Sequence, residues 1–314
     1  MKTKYLLTIV LAIAIFGNVA AEESGSNGSG SENIYIKSPK FAQPLLEKWI
    51  QEYSKVEPNI HFEIVKGNNN GKQIDMMVVV SDEQMSQNAN DKVVYFGEYA
   101  ILPITAYQSE AAKILEGKHL NAKTLKQIFF FNEDYEENLR KNKQFERLVI
   151  YSGSNKSSIA HIFAQHYGEA VDNFRGKRIS GDDLFLNTAL SKDPFGISFN
   201  TLPNIFDLKS RHLKNNLTLI GLDLKKEVAG NFTNSSSLDD IIKSLETERN
   251  DKITIGKVGL SYNGNVDAIN RFLSWILTNG VQYNHEYGLL NLDQKVAEIQ
   301  KINLTSTYTA QNNQ

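Results

Sequence analysis

Leu148–Gly168 reads LVIYSGSNKSSIAHIFAQHYG. Arg147–Tyr151 is a short, mostly apolar and β-branched run, the composition of a buried strand. Ser152–Ser158 (SGSNKSS) is a polar turn. A helix is predicted to follow over Ile159–Tyr167. Strand, polar turn and helix in this order are the building unit of an α/β fold.

The same unit recurs on either side. Asn33–Lys37 (NIYIK) alternates as a strand, Ser38-Pro39-Lys40 turns, and Phe41, Leu45, Trp49, Ile50 and Tyr53 fall at helical spacing over 41–55. His61–Val65 (HFEIV) is a second strand, and Lys66–Gly71 (KGNNNG) a turn-rich loop. Asp75–Val80 (DMMVVV) is a buried-type strand that stops at Ser81-Asp82. Lys92–Tyr107 is a long extended section. Strands are expected at Phe195–Phe199, Leu217–Leu222 and Lys252–Leu260. Helices are expected at Asn121–Phe130, Ser237–Thr247, Asp267–Leu277 and Leu292–Ile302. Strands alternating with helices predict a mostly parallel α/β sheet. In open α/β sheets ligands sit beyond the carboxyl ends of the strands. That rule selects Ser38-Pro39-Lys40, Ser81-Asp82 and Ser152–Ser158. The first and third of these precede helix N-termini, where unpaired N–H groups and a partial positive charge favour anions. Lys40, Ser154, Asn155, Lys156, Ser157 and Ser158 therefore form a candidate oxyanion cradle. Capping and turn formation account for each of these residues singly.

The 314 residues begin with Met1-Lys2-Thr3-Lys4, an apolar run Tyr5–Phe16, and then Val19-Ala20-Ala21 before Glu22. This is the layout of a removable export signal, cut after Ala21. The apolar run falls short of the roughly 20 residues a spanning helix needs. Residues 22–31 (EESGSNGSGS) read as a flexible tether. The chain has no Cys, which excludes disulfides, Cys-based metal sites and a lipid-anchored Cys at the cut. The expected mature protein is exported, soluble and without a lipid anchor. Without the signal, Asp and Glu outnumber Lys and Arg by four, and this mildly acidic balance argues against a nucleic-acid partner.

The order of these features resembles the periplasmic phosphate-binding proteins of phosphate-import ABC transporters, from about residue 33 to 300. IYIKSPKFAQPLLEKWIQEY is similar to that family's opening strand, turn and helix. VKGNNNGKQI is similar to its Gly/Ser loop, and VVVSDE to its strand ending in Ser-Asp. LNAKTLKQIFFFN, LVIYSGSNKSSIAHIFAQHYG, FGISF and FLSWILTNGVQYNHEYGLLNL resemble its later elements. The resemblance implies a two-lobed, type-2 periplasmic binding protein fold. Each lobe would be a mixed, mostly parallel sheet flanked by helices, and two hinge strands would join them. Lobe 1 would comprise 32–103 and 205–314, and lobe 2 would comprise 104–204. It further implies a phosphate-like oxyanion held by Lys40 and Phe41, Asn68 and Asn69, Ser81 and Asp82, and Ser157 and Ser158. Delivery would be to an ABC permease. The chain departs from the pattern where Tyr151-Ser152-Gly153 replaces an Arg-ended strand and where the third turn lacks its two glycines. These departures favour a second reading, a domain with a degenerate ligand site that serves as an exported interaction module.

No GxSxG, SxxK or Walker sequence is present, so no enzymatic role and no cofactor are expected. His161 and His166 lie five apart, off the spacing of a helical metal pair, and no metal is expected. Tyr95, Phe96, Tyr99 and Tyr107 read as packing residues, or as a wall of the cleft.

Overall fold

Lys92–Ala106 (KVVYFGEYAILPITA) is one strand of fifteen residues, β4. It is rich in β-branched and aromatic side chains, which suit a pleated surface. Its first half is partly covered, whereas Tyr99 to Thr105 are all buried, as happens when both faces of a strand are packed. The strand therefore runs through the middle of the molecule. The computed structural model describes residues 32–67, 71–80, 91–131, 143–263 and 267–311.

Among the described residues nine strands join in a single sheet around β4. The others are β1 (Glu32–Lys37), β2 (Ile60–Ile64), β3 (Met76–Val79), β5 (Val149–Gly153), β6 (Lys177–Ile179), β7 (Gly196–Thr201), β8 (Leu217–Leu219) and β9 (Thr254–Tyr262). Their order is β2-β1-β3-β9-β4-β7-β5-β6, with β8 on β4. The outer pairings, β1 with β2 and β3, and β5 with β6 and β7, are parallel. The pairings of β9 with β3 and of β4 with β7, β8 and β9 are antiparallel. Ile101 is the crossing point: it pairs with Thr254 of β9 on one side and with Thr201 of β7 on the other. Two half-sheets thus share one long strand.

Each half-sheet carries its own aromatic cluster. On the β1–β3 side Trp49 meets Phe96 edge-on at 4.7 Å, and its indole N–H donates to the Gly280 carbonyl at 2.8 Å. Tyr53 and Phe62 pack on Phe272 there. On the β5–β7 side Phe163 stacks on Phe199 at 4.0 Å, beside Phe129 and Phe174. Burying such rings is a major apolar contribution to each half.

The predicted elements are present with boundaries moved by a few residues. The helix after the first turn is a 3₁₀ turn, Lys40–Ala42, continuing into Gln43–Tyr53. The last helix runs on to Gln311. The sequence analysis has no counterpart for β6 or for the helices Glu110–Leu115 and Leu184–Leu190. The first and last of these three build the site.

Candidate functional site

Three segments meet beyond the strand ends: the turn 38–41 after β1, the turn 153–159 after β5, and the loop 180–183 after β6. At the first turn Phe41 is buried against Tyr99, with ring centroids 5.6 Å apart. The buried Tyr99 hydroxyl donates to the Val80 carbonyl at 2.6 Å, so β4 fixes the end of the strand leading to Ser81. Lys40 is exposed. Its main-chain N–H donates to Asp182 Oδ2 at 3.1 Å, and its ammonium lies 5.2 Å from the centre of the Phe185 ring.

The turn after β5 is organised by Asp183. This side chain is only 9% exposed. Its Oδ1 accepts from the Ser158 hydroxyl at 2.6 Å, and its Oδ2 accepts from the Ile159 N–H at 3.0 Å. Ser158 Oγ in turn accepts from the Ala160 N–H, the first residue of the helix Ala160–His166. Gly153 is required beside them: a Cβ there would stand 2.0 Å from Ser158 Oγ and 2.6 Å from Asp183 Oδ1. The sequence analysis notes two missing glycines in this turn; Gly153, at its start, is the position where Ser158 and Asp183 come close. Burial pushes the Asp183 carboxyl up to about 6, and its hydrogen bonds to Ser158 and Ile159 pull it back only in part.

The wall behind Asp183 is a buried amide network. Asn200 Nδ2 donates to the Asp183 carbonyl and to Asn187 Oδ1, at 2.8 and 3.0 Å. Asn200 Oδ1 accepts from Asn204 Nδ2 and from the Thr201 N–H. Asn187 Nδ2 donates to the Asn204 carbonyl at 2.9 Å. Fully paired networks of this kind hold a single geometry, because any broken member is left buried and unpaired.

The expected cradle is distributed as follows. Lys40 and Ser158 hold carboxylates of this same chain. Ser154 spends its N–H and hydroxyl on the Ile179 carbonyl. Asn155 Nδ2 donates to the Gly181 carbonyl. Lys156 and Ser157 are exposed on the turn. Asn68, Asn69, Ser81 and Asp82 lie outside the described residues, as do the export signal 1–21 and the tether 22–31. An Arg does stand beside the third turn, and it comes from the neighbouring strand. Arg178 donates through Nε and Nη2 to the Gly153 carbonyl and through Nη1 to the Val171 carbonyl. The sequence analysis missed Asp182, Asp183, Arg178 and the three asparagines. The signal that could have found the two aspartates is the Gly-Asp-Asp run before an apolar helix, a capping pattern. Among the described residues no group of three His, Cys, Asp or Glu is placed to hold a metal, and no helix is long and apolar enough to cross a membrane.

No protein-family model and no curated protein sequence matches the chain. Solved structures do. One described as a phosphate ABC transporter substrate-binding protein with bound phosphate, from Clostridium perfringens, aligns over 83% of this chain and 100% of its own, with a TM-score of 0.58 at 12% identity. An ABC-type phosphate transport receptor from Vibrio cholerae aligns over 82% of this chain and 100% of its own, with a TM-score of 0.51 at 11% identity. The fold is that of a two-lobed type-2 periplasmic binding protein. β4 belongs to both half-sheets, and the turns 38–41 and 153–159 follow strands of different halves.

Proposed function

We propose that the protein is an exported solute-binding protein that closes two lobes over phosphate or a similar small oxyanion and presents the closed form to an ABC permease. Lobe 1 is 32–103 with 205–314, and lobe 2 is 104–204. The single observation that carries this reading is that main-chain N–H donors of two turns, after strands of different half-sheets, are each already engaged with an oxyanion group. Lys40 N–H and Ile159 N–H, from turns on opposite lobes, each hold a carboxylate oxygen. Such donors bind anions because the N–H dipoles are fixed in place before the ligand arrives. Closure follows from contacts to both lobes, which stabilise the closed state over the open one. No covalent step is part of this reading, and the protein acts as a monomer.

A second reading is favoured by the same carboxylates. Asp182 and Asp183 are supplied by the chain itself, so these donors are satisfied without any solute. On that reading the cleft is a degenerate site, and the protein is an exported interaction or scaffolding module.

Calorimetric titration of the mature protein with phosphate, with sulfate as the control, separates the two. The solute reading expects micromolar or tighter phosphate binding, weakened by Lys40→Ala and Asp82→Ala. Absence of heat with both anions would sink it.

A further inference from the structure

Asp182 and Asp183 are neighbours in sequence but not in what they hold. Asp183 is turned into lobe 2, onto Ser158 and Ile159. Asp182 is half-buried and reaches the other way. Its Oδ1 accepts from the Leu184 N–H at 2.9 Å, which ties it to its own helix. Its Oδ2 accepts from the Lys40 N–H, 142 residues away in sequence. The 3₁₀ turn starting at Lys40 has Pro39 before it and no side-chain cap from its own segment. Asp182 is thus the acceptor for a helix start belonging to the opposite half-sheet. The approach is shaped on both sides. Gly181 takes φ +108°, and a Cβ there would stand 2.6 Å from the Phe185 ring. That ring is 44% exposed and lies beneath the Lys40 ammonium.

We propose that Asp182 is a tethered competitor for the oxyanion position: its carboxylate latches lobe 2 onto the Lys40 N–H of lobe 1 when no solute is bound, and a solute gains that N–H by displacing it. This rests on the solute-capture reading for its second half only. The latch is an intramolecular contact of the solute-free protein, so it can be tested whether or not the protein takes a solute. A carboxylate carries one charge and two acceptor oxygens. The solute class that displaces it must therefore offer more: a tetrahedral oxyanion has additional oxygens to reach the lobe 2 turn at the same time. The bond is solvent-accessible, so it is weak enough to exchange.

The test uses the full mature protein, its Asp182→Ala variant and its Asp182→Asn variant. The Asn variant keeps an acceptor for the Leu184 N–H, so it serves if the Ala variant folds poorly. Amide hydrogen exchange, read by NMR without phosphate, reports the latch. Exchange of the Lys40 amide is expected to rise about tenfold in Asp182→Ala, the scale of one charge-assisted hydrogen bond, while the Ile159 amide is unchanged. An unchanged Lys40 amide overturns the latch. Titration with inorganic phosphate reports the competition, with binding expected to tighten about tenfold in Asp182→Ala. Equal phosphate affinity in wild type and variant overturns the competitor role. If no variant takes phosphate but the Lys40 amide is released, the latch stands and the solute reading fails.

Discussion

The turns on the two half-sheets are held in opposite ways. On the β5–β7 side Asp183, Ser158, Gly153, Asn187, Asn200 and Asn204 form a buried network in which each named bond lies within the same half-sheet or its helices. On the β1–β3 side the turn 38–41 is anchored below by Phe41 on Tyr99. Above, it meets the loop 180–183 and the helix after it through exposed contacts, the Lys40 N–H on Asp182 and the Lys40 ammonium over Phe185. The difference teaches how buried and exposed polar contacts divide the work. The buried network is held rigidly, because its polar groups lose water only if all of them are paired. The contact between the two halves is exposed, so losing it orphans no buried group.

The comparison is most exposed to failure at Asp183. Truncation by Asp183→Ala orphans the Ser158 hydroxyl and the Ile159 N–H in a buried site. It should cost about 3–4 kcal/mol, taking roughly 1–3 for each lost partner. Urea unfolding monitored by circular dichroism measures it. A loss under about 1 kcal/mol would mean that the network around Asp183 is not the rigid one.

The next largest effect is on pH dependence. The Asp183 carboxyl is raised from 3.8 to about 6 in the folded protein. The folded state therefore holds a proton that the unfolded chain has released between those values, and stability from this group falls as pH rises. The contribution is fully present below about pH 4, is lost through pH 6, and amounts to about 3 kcal/mol. It should appear as a difference between wild type and Asp183→Asn that grows from pH 7 to pH 4. Parallel curves for the two proteins would contradict it.

The smallest effect sharpens the contrast. Asp182→Ala should cost about 1.5 kcal/mol of global stability, the scale of the tenfold change expected at the Lys40 amide. The same unfolding measurement reads it. A cost comparable to that of Asp183→Ala would show that the contact between lobes is part of the structural core and not a latch.

Much of the fold could be read directly along the chain. The strand, turn and helix at 148–168, the strand and helix at 33–55, and the long extended section at 92–107 carry strong patterns: period, length and composition agree. The turns after β1 and β5 were legible too, because polar residues between a strand and a helix mark them. β6 was not legible, since three residues leave no period to detect. The helix 184–190 follows that unread strand after the loop 180–183, and only the Asp-Asp pair before it announces it.

What the sequence alone determined is the class: alternating apolar strands and amphipathic helices, no cysteine, and polar turns poised before helices. Local pattern is sufficient for this, because each element buries its own apolar face wherever it lies. Only the tertiary structure decided which groups fill the turns. Asp183 meets Ser158 across 25 residues, Arg178 reaches Gly153 across 25, and Lys40 meets Asp182 across 142. Such partners are set by strand order and by which buried donors lack water, and neither leaves a periodic trace in the chain.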